Sequence, residues 1–208
     1  MTALNGGGLY AITSGPHPQL LVQVAQALAG GARVLQYRDK SDDAPRRHAE
    51  AQALLDLCRR YQVPLIINDD VALAAAIGAD GVHLGERDVD IATARAALGA
   101  RAIIGVSCYN SFERAQRLAA SGANYLAFGA FFPSPTKPHA PRAEPELLRR
   151  AATLGLPTVA IGGITPDNGG LLVEAGADYL AVITGVFGAD DIALAASRVA
   201  ALFVRPQE

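Results

Sequence analysis

Ile66 to Asp88 read IINDDVALAAAIGADGVHLGERD. A short apolar run ends in Asn68, Asp69 and Asp70, an Ala-rich helical stretch turns on Gly78, and a second apolar run stops just before Glu86, Arg87 and Asp88. The pattern is strand, helix, strand, with carboxylates after both strands. If the strands are parallel neighbours, Asp69 and Asp88 come to the same sheet edge, where two hard oxygen donors could share a magnesium ion. The alternative from spacing alone is a helix N-cap and a loop acid.

The same alternation extends in both directions. Strands are expected at 9–13, 34–38, 64–68, 81–84, 102–107, 125–129, 158–161 and 179–184. Helices are expected at 19–29, 45–61, 70–77, 91–98, 112–120, 144–153, 167–174 and 192–204. A Gly-Ala pair precedes every second strand, at Gly31, Gly78, Gly122 and Gly176, where a helix must stop in a left-handed conformation. Eight βα units in 208 residues without a linker predict one domain, 1–208, in the α/β class: a single closed (β/α)8 TIM barrel. A doubly wound open sheet is disfavoured because no Gly-rich turn follows the first strand.

Composition narrows the function. Half of the residues are hydrophobic, 18% are charged and the net charge is −2, so the chain offers no basic field for nucleic acid. Its start, MTALNGGGLYAITSG, has neither a cationic segment nor a continuous apolar run, and no later run reaches membrane-spanning length. The expectation is a soluble cytoplasmic protein; a homodimer is compatible with the composition. Cys58 lies on a helical apolar stripe and reads as a buried thiol, while Cys108 has no ligand spacing around it.

A barrel places its chemistry at the C-terminal ends of its strands. Gln36, Arg38 and Lys40 end the second strand at alternate positions and so share a face. Asn68 and Asp69 end the third strand, Asp88 follows the fourth and Ser107 ends the fifth. Lys137 follows the sixth, Gly162 and Gly163 the seventh, and Thr184 ends the eighth. Two stretches read as anion sites: Ile161–Pro166, with Thr165 expected as N-cap and Pro166 at the first helical position, and Ile183-Thr184-Gly185. The loop from Gly129 to Pro138 adds Ser134, Thr136 and Lys137 on a proline-stiffened frame suited to phosphoryl oxygens.

Taken together, Gln36-Tyr37-Arg38-Asp39-Lys40, Asn68-Asp69-Asp70, Gly81-Val82-His83-Leu84-Gly85 with Asp88, Gly105-Val106-Ser107, Phe132-Pro133-Ser134-Pro135-Thr136-Lys137 and Ala160-Ile161-Gly162-Gly163-Ile164 strongly resemble the thiamine phosphate synthases. The likeness runs in order and spacing from about Leu9 to Phe187. It implies a transferase that couples 4-amino-2-methyl-5-hydroxymethylpyrimidine diphosphate with a thiazole phosphate, with or without a ring carboxylate, giving thiamine phosphate and diphosphate. By the resemblance, Gln36, Tyr37, Arg38, Asp39, Lys40, Asn68, Ser107 and Lys137 line the pyrimidine diphosphate site, and Asp69 with Asp88 holds Mg2+. Ser134, Pro135, Thr136, Gly163, Ile183 and Thr184 bind the thiazole phosphate.

Arg38, Lys40, Ser107 and Lys137 are the expected catalytic groups, stabilising diphosphate as it departs while the aminopyrimidine carries the cation left behind. No protein nucleophile is needed, and His83, mid-strand and without an obvious partner in the sequence, reads as a satisfied structural histidine rather than a catalytic one. Departures from the family pattern are Glu86, Arg87 and Thr184-Gly185. Three other functions compete. A thiazole tautomerase would want a histidine just after the fifth strand, where this chain has Cys108-Tyr109-Asn110. A phosphosugar epimerase or isomerase would want flanking acid and base groups. A non-catalytic barrel binding a thiamine precursor would not need both aspartates.

Overall fold

Residue 4, residues 6–133 and residues 142–204 are described by a computed structural model. Eight parallel strands close into a barrel in sequence order: β1 (Gly8–Ile12), β2 (Ala32–Tyr37), β3 (Leu65–Asn68), β4 (Gly81–Leu84), β5 (Ile103–Tyr109), β6 (Tyr125–Phe128), β7 (Thr158–Ile161) and β8 (Tyr179–Val182). The β1–β8 pairing, Gly8 to Tyr179 through Ala11 to Val182, closes the ring and excludes the open sheet.

Nine α-helices stand between and after the strands among the described residues: α1 (Leu20–Ala29), α2 (Ala44–Tyr61), α3 (Val71–Ile77), α4 (Ile91–Leu98), α5 (Phe112–Ala120), α6 (Glu146–Ala151), α7 (Gly169–Glu174), α8 (Thr184–Phe187) and α9 (Ile192–Ala200). Eight were expected; the extra one is α8. Thr184 opens this four-residue helix rather than ending β8, because the chain at Ile183 leaves extended geometry (φ −105°, ψ −90°). The N-cap expected at Thr165 is corrected too. Asn168 Oδ1 accepts from Thr165 N (2.9 Å) and its Nδ2 donates to the Gly163 carbonyl (3.0 Å), folding 165–168 into a separate turn before α7 begins at Gly169.

Side chains alternate in and out along each strand, as a pleated barrel requires. Tyr10, Ile12, Val34, Ile66, Ile103, Tyr125, Val159 and Tyr179 fill the inside. Leu9, Leu35, Tyr37, Ile67, Val82, Ile104 and Leu126 point outward into the layer shared with the helices. Gly105 is required by this packing: a Cβ there would overlap the inward ring of Tyr125.

The Gly-Ala repeat behaves as expected, with Gly31, Gly78, Gly122 and Gly176 all at positive φ before β2, β4, β6 and β8. Three of the repeats continue with Asp or Asn, and the pattern has a reason. Asp80, Asn124 and Asp178 accept from the N–H of Leu65, Ile104 and Thr158, each at 2.8 Å, and donate their own N–H back to the same residues. Backbone groups that would otherwise end the ladder unpaired at the base of the barrel are thereby satisfied.

Candidate active site

A cavity of about 610 Å³ opens at the C-terminal ends of the strands, a size suited to a small ligand. Its lining draws on every part of the ring, from Gln36 and Arg38 through Asn68, His83 and Ser107 to Gly163, Ile183 and Thr184. A smaller pocket lined by Lys40, Asn68 and Asp69, among others, contains Asn68 in common with the first.

The Gln36–Lys40 run divides by strand parity. Gln36 and Arg38 face the cavity, and Thr13 pins the chain there, its Oγ1 accepting from Arg38 N at 2.9 Å. The side chains of Tyr37 and Asp39 turn away from the larger cavity, although Asp39 is among the residues around the smaller pocket. The Tyr37 hydroxyl donates to Glu50 at 2.7 Å, and the buried Asp39 carboxylate accepts from Ser41 N at 2.8 Å and pairs with Arg46 at 2.8 Å. Burial works against the Asp39 charge, but Ser41 and Arg46 outweigh it and hold its carboxyl below the ordinary value. These two residues anchor the segment that carries Lys40.

Of the acids in the Asn68-Asp69-Asp70 stretch, one is the helix cap and the other is not. Asp70 is the N-cap of α3, accepting from Leu73 N at 2.8 Å, and pairs with Arg47 at 2.8 Å. Asp69 is not a cap. It sits at φ +63°, a conformation rare for a residue with a side chain, and its carboxylate meets the Lys40 ammonium. Asp88 is folded back by accepting from Gly85 N at 2.6 Å, which brings its carboxyl near enough to Asp69 for each acid to act on the other's charge. The sequence separation of 19 residues thus closes into one pair of acids.

Their electrostatics are opposed. Burial raises the Asp69 carboxyl, but the Lys40 ammonium and the bond with Asp88 overrule it and bring it below the ordinary value. Asp88 is raised, by burial first and then by the neighbouring negative Asp69, against the lowering effect of the Gly85 N–H. As pH falls, Asp88 is therefore the first of the pair to take up a proton. Two hard carboxylates held in contact are a donor set that suits magnesium. Among the described residues no group of three or more His, Cys, Asp or Glu side chains forms a metal cage, so further oxygens must come from ligand and water.

On β5, Ser107 points inward, and the chain turns sharply at Tyr109 (φ +55°), whose hydroxyl accepts from Glu86 N at 3.3 Å. Arg114 steadies this corner, donating Nε–H to the Ser107 carbonyl at 2.8 Å with its guanidinium 5.6 Å from the Tyr109 ring centre. On the opposite side, the loops after β6 and β7 are zipped together by Phe131 N to Ile161 O (3.2 Å) and Phe132 N to Gly162 O (3.0 Å). Gly163, at φ +62°, lies so close to Phe132 and Pro133 that no Cβ fits. Ser134, Pro135, Thr136 and Lys137, expected from the sequence at the ligand site, lie outside the described residues.

His83 is a satisfied histidine, held by partners that the sequence does not show. It faces the cavity and has partners on both nitrogens: Tyr125 OH at 2.9 Å from Nδ1 and Ser107 Oγ at 2.9 Å from Nε2. The chain continues from Tyr125 OH to Tyr10 OH (2.7 Å) and on to Gln36 Nε2 (2.8 Å). Tyr10 and Tyr125 were missed as site residues, although inward strand positions carrying aromatic rings with polar tips mark them. Burial drives both phenols far above their ordinary pKa, so they remain protonated.

With this geometry in view, comparison with known proteins is decisive. The sequence pattern of the family described as thiamine monophosphate synthase matches residues 9–186. The chain belongs to that family. It is 57% identical over 198 residues to the thiamine-phosphate synthase of Chromobacterium violaceum, covering 94% of this chain and 96% of that one. The corresponding enzyme of Thiobacillus denitrificans is 51% identical over 205 residues, covering 97% of each chain. Among solved structures, the thiamine phosphate pyrophosphorylase of Pyrococcus furiosus superimposes with a TM-score of 0.85 at 34% identity, covering 94% of this chain and 95% of that one. In this family member Arg38 and the glycines Gly129, Gly162, Gly163 and Gly185 line the cavity, while Lys40 and Asp69 line the smaller pocket that shares Asn68 with it.

Proposed function

We infer that this chain is a transferase that joins a pyrimidine diphosphate to a thiazole phosphate and releases diphosphate, forming thiamine phosphate. The observation that carries this reading is the family match over residues 9–186 combined with a cavity whose two ends differ in chemistry. Arg38 and Asn68 stand on one side, next to the smaller pocket of Lys40 and Asp69; Gly163, Ile183 and Thr184 line the other.

In the mechanism we propose, Arg38, Lys40 and the Ser107 hydroxyl hold the diphosphate oxygens and stabilise the charge that grows on them as the carbon–oxygen bond breaks. Asp69 and Asp88 are the residues that would hold magnesium, which when bound supplies positive charge to the same oxygens. Electrons of the breaking bond leave with diphosphate, and the aminopyrimidine ring delocalises the positive charge left on its methylene carbon. Ring nitrogen of the thiazole then forms the new carbon–nitrogen bond. The apolar walls, Ile12, Val159, Ile161 and Ala181 among them, keep water from reaching that carbon first.

The chain's own nucleophiles take no part. Burial pushes both cysteine thiols up to about 12, and both side chains belong to the layer outside the barrel. The proposed thiazole phosphate end is lined by Gly163, Ile183 and Thr184, where the start of α8 leaves N–H groups without intrahelical partners. To test the reading, purified protein is mixed with both substrates and magnesium and thiamine phosphate is measured. Its appearance supports the synthase; thiazole tautomerisation without coupling would replace it.

A further inference from the structure

Five polar side chains from five strands form one hydrogen-bonded chain across the inside of the barrel. It runs from Gln36 on β2 to Tyr10 on β1, Tyr125 on β6, His83 on β4 and Ser107 on β5, with every link between 2.7 and 2.9 Å. Gln36, Tyr10 and Tyr125 are each at most 3% exposed, so their polar atoms are largely shielded from bulk water.

Such a chain has a direction. Each hydroxyl carries one proton, and a neutral imidazole donates from one nitrogen and accepts at the other. The Gln36 amide donates Nε2–H to the Tyr10 hydroxyl. Tyr10 then has its own proton for Tyr125, and Tyr125 has its proton for His83 Nδ1. The imidazole, accepting at Nδ1, keeps its proton on Nε2 and donates it to Ser107 Oγ. Ser107 is left with one proton, which no other group among the described residues takes, in a side chain that lines the cavity.

We propose that Gln36, acting through Tyr10, Tyr125 and His83, fixes Ser107 as a hydrogen-bond donor towards the diphosphate. Gln36, the two tyrosines and His83 are positioning residues in this scheme, and it rests on the diphosphate role given to Ser107 above. The opposite direction would need the Gln36 oxygen to accept from Tyr10. Ser107 would then donate to His83 and turn only lone pairs towards the anion, which repels it. An imidazolium does not fit the chain either, since Tyr10 and His83 would both donate to Tyr125 and leave the Tyr125 proton without an acceptor.

The test reads the tautomer directly. In protein carrying 15N-labelled histidine, the His83 signals are assigned by their loss in His83→Gln, and the ligand-free enzyme is expected to show the proton on Nε2. Gln36→Glu places an acceptor at the head of the chain and is expected to move the proton to Nδ1. Tyr125→Phe breaks the chain without adding charge and is expected to weaken binding of inorganic diphosphate with magnesium by about tenfold, as does Ser107→Ala. A proton on Nδ1 in the unaltered protein, a tautomer indifferent to Gln36→Glu, or unchanged binding in Tyr125→Phe would overturn the proposal. Equal diphosphate affinity in Ser107→Ala with the Nε2 tautomer intact would instead overturn the diphosphate role on which it rests, a result distinct from a wrong tautomer.

Discussion

Replacing Gly105 with alanine introduces a single methyl group at the most crowded point inside the barrel. The added Cβ would fall well within 3.0 Å of the Tyr125 ring, a separation that real Cβ atoms essentially never show. Tyr125 has no room to yield: it is fully buried, and its hydroxyl is held by Tyr10 at 2.7 Å and His83 at 2.9 Å. Two outcomes share the cost. If the ring stays, the overpacking costs about 1–3 kcal/mol. If it moves, its hydrogen bonds lengthen, each carrying about 1 kcal/mol. Either way the loss is about 1–3 kcal/mol, which corresponds to a melting temperature lower by roughly 2–12 °C for a chain of this size. Calorimetry measures the shift, and inorganic diphosphate binding with magnesium, measured on the folded protein, should weaken in parallel because Ser107 loses its support through His83. A melting temperature within about 1 °C of the unaltered protein would refute the packing argument, since it corresponds to well under 1 kcal/mol.

Three further outcomes follow from the site. Because Asp88 is raised, a proton occupies the pair at pH below that raised value and magnesium must displace it; affinity is full above the raised Asp88 value and falls about tenfold per pH unit below it. Calorimetric titration across about pH 4 to 8 checks this, and a flat affinity would contradict it. Gly163→Ala puts a Cβ against Phe132 and Pro133 at a positive φ, so KM for the thiazole phosphate should rise severalfold with less change in KM for the pyrimidine diphosphate; steady-state kinetics with each substrate varied decides. Both thiols are buried and pushed up to about 12, so a disulfide reagent should label neither in the native protein and both after denaturation; rapid native labelling would be incompatible with their placement.

Periodicity made the barrel legible. Alternating strands and helices, and the Gly-Ala pair before β2, β4, β6 and β8, are local signals, and they survive because the repeat is also the unit that packs. The C-terminal ends of strands were legible for the same reason: Gln36, Arg38, Asn68 and Ser107 face the cavity because strand parity sends them there. Parity also shows why Tyr37 and Asp39 do not. What stayed hidden depends on contacts between distant segments. Tyr10 and Tyr125 are 115 residues apart, and His83 and Tyr125 are 42 apart, so nothing near His83 in the chain announces its partners. The short α8 was hidden for a different reason, since four residues are too few to show a helical period. Asp69 and Asp70 look alike in sequence, and only the left-handed turn at Asp69 separates the cap from the acid that meets Lys40.

The central claim is a coupling reaction in which Asp69 helps to hold the departing diphosphate's metal. Its most direct measurement is the simultaneous quantification of thiamine phosphate and diphosphate from the two substrates, with and without magnesium, in the unaltered protein and in folded Asp69→Ala. The account predicts equal amounts of both products, formed only with magnesium and lost in the variant. Coupling that proceeds at the same rate without magnesium, or in Asp69→Ala, would contradict it.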